Sequence, residues 1–162
     1  MASEKMTEIF KERKTVKQVE EGYELAPKFD VNGLMPVVTT DTKTGDVLMM
    51  GYQNEEAFKL TIETGEAYYW SRSRNCLWHK GETSGLIQKV IDIRIDDDQD
   101  AIWLKVELQG LEASCHVGYK SCFYRSIPTG NVTEEIKLIY QEDKKTFDPE
   151  EVYGDAPNPT KL

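Results

Sequence analysis

Histidine and cysteine are scarce in this chain. Its 162 residues include two histidines, His79 and His116, and three cysteines, Cys76, Cys115 and Cys122. An odd cysteine count without a secretory leader argues for thiols or metal ligands and against a disulfide framework. Long apolar runs are missing too, and nothing approaches the roughly 20 residues needed to span a bilayer. The opening Met1-Ala2-Ser3-Glu4-Lys5 lacks a basic region followed by an apolar core, so no signal peptide is read and a cytoplasmic location is expected. Positive charge is in the minority. The net charge of -9 argues against broad binding to nucleic acid or membrane surfaces, although a local basic patch can still hold one phosphate. The remaining composition, 39% hydrophobic and 30% charged, is that of a globular domain able to bury a core without covalent staples.

What the chain does hold is concentrated. Ile93 to Ala101 places Asp96, Asp97, Asp98 and Asp100 between apolar runs at Val90-Ile91 and Ile102-Trp103-Leu104. The plain reading is a solvated acidic turn. The functional one is a site for magnesium or calcium, because crowded carboxylates are unfavourable without a cation and hard ions take oxygen ligands. The spacing also mimics a calcium-binding helix-loop-helix loop, but Ala101 stands where that loop needs Gly and no helix flanks it. On an extended strand Asp96, Asp98 and Asp100 share one face about 6.6 Å apart, so a bend or bulge is required for them to meet at one ion. Asp97 would point the other way and serve a different centre.

Cys115-His116 and Cys122 supply soft ligands. A structural zinc site usually has four ligands, whereas two thiols plus one further group and an open position suit a catalytic zinc. The plain alternative is two free core cysteines. Between Tyr68 and Lys80, Arg72, Arg74 and Lys80 are candidates to hold a phosphate, with aromatic neighbours able to stack on a base. Gly81 to Gly85 then permits close backbone approach, with Ser84 as a hydroxyl donor. The competing reading is a surface hairpin with a basic patch.

Periodicity sets the expected elements. Residues 1–22 read as an N-terminal extension, with an amphipathic helix from Lys5 to Val19, and residues 155–162 as a surface tail. Met35 to Asp41 and Asp46 to Tyr52 form a hairpin around Lys43-Thr44-Gly45-Asp46. A helix is expected from Glu55 to Thr64, capped by Asn54 and ended by Gly65, burying Ala57, Leu60 and Thr61. Glu66 to Ser71, Leu86 to Ile95, Ala101 to Gln109, Cys122 to Ser126 and Ile136 to Gln141 read as strands.

Four motifs together resemble the phosphoribosyl-AMP cyclohydrolase family. They are Tyr69-Trp70-Ser71-Arg72-Ser73-Arg74, Leu77-Trp78-His79-Lys80-Gly81-Glu82-Thr83-Ser84-Gly85, Ile93 to Asp100, and Cys115-His116 to Ser121-Cys122-Phe123-Tyr124-Arg125. The resemblance covers roughly residues 30–154, and it frames a cyclohydrolase-like domain at 23–154. It implies an α+β, β-dominated fold, a small mixed-sheet or barrel-like domain with a few helices, expected as an intertwined homodimer with a shared active site. It also implies hydrolytic opening of the adenine N1–C6 bond of phosphoribosyl-AMP in histidine biosynthesis, by a zinc-activated water. In that family pattern Cys115 and Cys122 ligate zinc, Asp96, Asp98 and Asp100 bind magnesium, and His116 transfers protons. Arg72, Arg74, Lys80 and Ser84 would contact phosphate and ribose. One position departs: the family places a zinc-ligand Cys where this chain has Asp97. An Asp-Cys-Cys zinc site is chemically reasonable. The alternatives are another metal-dependent purine-nucleotide hydrolase or deaminase, or a non-catalytic nucleotide- or metal-binding homologue.

Overall fold

The computed structural model describes residues 9–162. The expected Lys5–Val19 helix begins outside that range. Within it, helix is confined to α1 (Val16–Glu21), where Thr15 and Gln18 form a capping box. Residues 9–15 instead run irregularly across the domain, and the Phe10 ring stacks on Phe58 at 5.4 Å. Tertiary packing overrides a weak helical pattern there.

The main sheet has four strands in the order β2-β1-β6-β5. β1 (Met35–Asp41) and β2 (Val47–Gln53) form the expected hairpin, with Gly45 in the left-handed region of the turn. β6 (Ile102–Leu108) lies parallel to β1, while β5 (Gln88–Ile95) runs antiparallel to β6. The sheet is therefore mixed, but it is open, so the barrel-like alternative is corrected. Too few strands run continuously to close it: β3 (Tyr68–Ser71) with β4 (Cys76–His79), and β7 (Arg125–Ser126) with β8 (Ile139–Tyr140), pair as separate ribbons.

α2 (Glu55–Thr64) matches its expected limits. Asn54 accepts a hydrogen bond from the Ala57 N–H, and Gly65 ends the helix with φ 73°. It buries Ala57, Phe58 and Thr61 against the sheet, leaving Leu60 half-buried. β6 alternates as expected, with Ile102, Leu104, Val106 and Leu108 buried. β5 does not hold its alternation. The register slips between Val90 and Asp92, so Gln88 and Val90 face inward before the bulge, Ile93 and Ile95 after it, and Ile91 is left exposed.

The chain ends in α3 (Pro149–Tyr153), capped by Asp148, with Phe147 buried beside Leu86 and Ala113. Among the described residues no helix is long and apolar enough to cross a membrane.

Candidate active site

Two sets of chemically capable side chains sit at opposite ends of the main sheet. The parallel register Val37↔Ile102 to Asp41↔Val106 puts the β5–β6 turn at one end, and the antiparallel register Thr40↔Val47 puts the start of β2 at the other.

The thiols lie at the β2 end. The Cys122 N–H donates to the Leu48 carbonyl at 2.7 Å, and the Ser121 hydroxyl donates to the Val47 carbonyl at 2.7 Å. The Glu142 carboxylate accepts from the N–H groups of Lys120 and Ser121 at 2.9 and 3.0 Å, closing the loop from its other side. Cys115 opens a tight turn in which the Gly118 N–H returns to its carbonyl. Gly118 has φ 112°, and a Cβ there would fall 2.6 Å from the Phe147 carbonyl, so only glycine lets the segment before α3 pass this close.

In this turn the Cys122 thiol hydrogen-bonds Cys115. That bond, with the Val117 and Tyr119 backbone N–H groups and the nearby Lys80 charge, holds the Cys115 thiol at about 6 against the effect of burial, and the same bond pushes Cys122 up. The two thiols thus titrate together, with Cys115 the more acidic member. Lys80 is buried, and its Nζ donates to the Ser114 carbonyl at 2.7 Å beside Cys115. Burial holds its ammonium below the usual lysine range, offset by the two cysteines. His116 follows Cys115, and its Nε2 is buried without a hydrogen-bond partner. Burial lowers the His116 pKa, so the imidazole is neutral at pH 7, although Asn158 hydrogen-bonds the ring and opposes the shift. Residues 154–162 are exposed, yet through Asn158 they reach this site.

Beneath the thiols runs a buried polar chain that periodicity did not single out. The Thr39 hydroxyl and Tyr69 hydroxyl are 2.6 Å apart, and Tyr69 donates to Gln88 Oε1 at 2.6 Å. Gln88 Nε2 then donates to the Ser114 hydroxyl at 3.1 Å. A glutamine at the inward-facing start of β5 was the available sign, since a buried amide must find partners.

The carboxylates lie at the other end. Residues 96–99 form a turn, not a strand, and donor oxygens of Asp96, Asp97 and Asp98 come within 4.8 Å of one another. The expectation that Asp97 faces away from its neighbours is therefore corrected: strand alternation stops at Ile95. Asp96 Oδ1 accepts from the Asp100 and Ala101 N–H groups at 2.9 and 3.1 Å, which outweighs desolvation and keeps its carboxyl low. Asp100, hydrogen-bonded to Asp98 and close to Asp96, is pushed up to about 6.

From the Leu48–Cys122 bond to Ile102 is roughly 10 Å along the strands and roughly 10 Å across them, so one ion cannot touch both sets within one chain. Among the described residues, no third His, Cys, Asp or Glu donor joins the thiol pair within 4.8 Å. The basic candidates are divided. Arg72 lies over the Tyr52 ring at 4.0 Å and Arg74 over Trp78 at 5.5 Å, both in the exposed β3–β4 turn. Ser84 accepts from the Leu86 N–H at 3.2 Å in the loop after β4, and Lys80 is buried at the thiols.

Thiols, a neutral imidazole and a buried ammonium gathered beside a glycine-demanding turn are the furnishings of an enzyme. The phosphoribosyl-AMP cyclohydrolase family model matches residues 49–124, a span holding both donor sets. A phosphoribosyl-AMP cyclohydrolase of Nitrobacter winogradskyi is 51% identical over 140 residues, covering 86% of this chain and 94% of the relative. Those of Rhodopseudomonas palustris and Bradyrhizobium diazoefficiens are 55% and 50% identical, each over 136 residues covering 84% of this chain and 89% and 94% of theirs. The chain belongs to the phosphoribosyl-AMP cyclohydrolase family.

Proposed function

We propose that this chain opens the N1–C6 bond of the adenine ring of phosphoribosyl-AMP by hydrolysis, in the cytoplasm, as a step of histidine biosynthesis. In this reading it works as a homodimer that depends on zinc and magnesium. The observation that carries the reading is the hydrogen-bonded thiol pair, which lies beside an imidazole with a buried, unpartnered nitrogen and has no third ligand among the described residues.

Such a donor set fits zinc. Cys115 and Cys122 would hold the ion, with Asp97 of the partner subunit as the third ligand. Bound zinc supplies Lewis acidity that brings the pKa of water toward neutrality. The chain's own groups do the rest. His116, neutral and unpartnered at Nε2, accepts the proton of the attacking water and returns it to N1 as the N1–C6 bond breaks. The second water proton passes to the exocyclic nitrogen, which becomes the amide NH2 as the water oxygen becomes the carbonyl oxygen on C6, so both protons are accounted for. Lys80 acts by its charge on the thiols, where its amine is buried, and phosphate and ribose contacts fall to Arg72, Arg74 and Ser84.

The crowded carboxylates fit a hard ion. Asp96, Asp98 and Asp100 would hold magnesium, taking the place of the proton that Asp100 retains up to about pH 6. A second copy is supported by exposed apolar surface near β7 and β8, where Phe123, Ile127 and Ile136 are 60%, 68% and 59% exposed.

The test is to incubate metal-loaded protein with phosphoribosyl-AMP and follow the ring-opening absorbance change. No change with zinc and magnesium content confirmed overturns the reading. Release of ammonia would instead indicate a deaminase using the same pocket.

A further inference from the structure

Gln99 is the one residue of the Asp96–Asp100 turn that is not acidic, and it is the one that is buried, at 5% exposure. Its backbone is left-handed, φ 57°, a conformation that favours glycine over a long side chain. The amide is fully occupied by the N-terminal segment. Oε1 accepts from the Ala26 N–H at 2.8 Å, and Nε2 donates to the Val19 and Glu24 carbonyls at 2.9 and 3.2 Å. The Gln99 carbonyl in turn accepts from the Lys28 N–H at 2.8 Å. Arg13 adds a second tie, donating to the Ala26 carbonyl at 2.6 Å and the Asp98 carbonyl at 2.8 Å. The segment is itself anchored, through Phe10 on Phe58 and the Lys11 N–H on the Leu25 carbonyl.

We infer that residues 9–29 form a strap that positions the acidic turn for its cation, with Gln99 as the positioning residue; this rests on the magnesium site proposed above. Asp96 and Asp98, two of the three proposed magnesium ligands, have donor oxygens within 4.8 Å of each other and of Asp97, and like charges this close repel, so a turn held only by its own short-range bonds relaxes outward when no cation is present. The strap grips that turn through the Gln99 amide and the backbone carbonyls of residues 98 and 99, taking no carboxylate. The carboxylates are thereby gathered before the ion arrives, and preorganisation of this kind raises affinity. The turn stays open to a hydrated ion, because a cleft of about 330 Å³ lies between Tyr23, Glu24 and Leu25 on the strap and Asp96 and Asp97 on the turn. The strap precedes the 49–124 segment matched by the family model.

The test is Gln99→Gly, which suits the left-handed backbone and removes the whole side chain, amide included. Manganese(II) bound at the turn is titrated by electron paramagnetic resonance, with limited proteolysis at Arg13, Lys14 and Lys17 reporting whether the strap is released. The expected result is proteolytic release with manganese binding weakened about tenfold or more, as for loss of a supporting partner behind a ligand. Arg13→Ala should shift both readouts the same way by less, and it carries the test should Gln99→Gly fail to fold. A released strap with wild-type manganese affinity overturns the inference while leaving the proposed chemistry standing. A wild-type chain that takes up no manganese at the turn overturns both.

Discussion

At the β2 end of the sheet the donors are thiols, drawn together by bonds that reach the Leu48 and Val47 carbonyls, Glu142, and the buried Tyr69–Gln88–Ser114 chain. At the Ile95 end they are exposed carboxylates, folded on themselves through Asp96 Oδ1 and gripped from outside by Gln99 and Arg13. The first arrangement is expensive to disturb, because every broken bond leaves a buried polar atom. The second is soft, because water replaces what is lost. In the proposed reading the first end suits a fixed ligand geometry and the second an ion that enters hydrated and exchanges.

The sharpest way to break this contrast is Cys115→Ala. Removing a direct ligand should abolish stoichiometric zinc and lower ring-opening activity by more than about 100-fold, beyond what loss of a supporting contact gives; elemental analysis and the absorbance assay check it. Asp97→Cys should hold or raise zinc affinity, since thiolate suits zinc better than carboxylate. Equal zinc affinity in wild type, Asp97→Cys and Cys115→Ala would contradict the assignment of both residues. Gln88→Leu cuts the buried chain and leaves the Tyr69 and Ser114 hydroxyls short of a partner. The expected loss is about 1–3 kcal/mol, read in a denaturant melt, with manganese affinity at the acidic turn unchanged. If that affinity falls in parallel, the two ends are not independent.

The smallest effect should come from Asp41→Asn. Against the cost of its burial, the Lys120 ammonium 2.8 Å away and the Lys43 N–H hold the Asp41 carboxyl below the usual carboxylate range. A depressed carboxylate contributes stability that is present above its unfolded pKa and lost as the pH falls through the folded value. Asp41→Asn should therefore unfold about 1 kcal/mol more easily near pH 7, and the gap should close in melts near pH 3. A gap independent of pH would assign it to packing alone.

Much of the frame was legible because its signals are local. Asn54, Glu55-Glu56 and Gly65 mark the ends of α2 with side chains a few residues apart, and Lys43 to Asp46 mark the hairpin in the same way. The β5 bulge was not legible: Ile87, Lys89, Ile91 and Ile93 read as one face, but pairing with β6 inserts a residue and turns Ile91 outward. β4 was hidden in the basic Tyr68–Lys80 stretch because a four-residue strand shows too little alternation to separate from a turn. At the site, spacing alone left Cys115 with Cys122 and the four aspartates open between a metal site and a plain reading, and the family resemblance supplied their expected roles. Spacing did not show that the two sets occupy opposite ends of a sheet, nor that Lys80 is buried at the thiols, since both follow from β1 pairing with β6 across a long stretch of chain. Asp97 was treated as a strand residue and lies in a turn, so its assignment to zinc now depends on a second copy.

The Gln99 contacts also impose an order of events on synthesis. The amide bonds residues 73 and 80 positions earlier in the chain. At ribosomal rates of roughly 5–20 residues per second, the N-terminal segment waits about 4–16 s before its partner has even been made. During that interval Phe10, Val19 and Leu25 have no domain to lie on, and the nascent chain exposes them to whatever chaperone stands at the exit tunnel. The contact can close only once Gln99 has been made, just ahead of β6, the strand that joins β1 to β5.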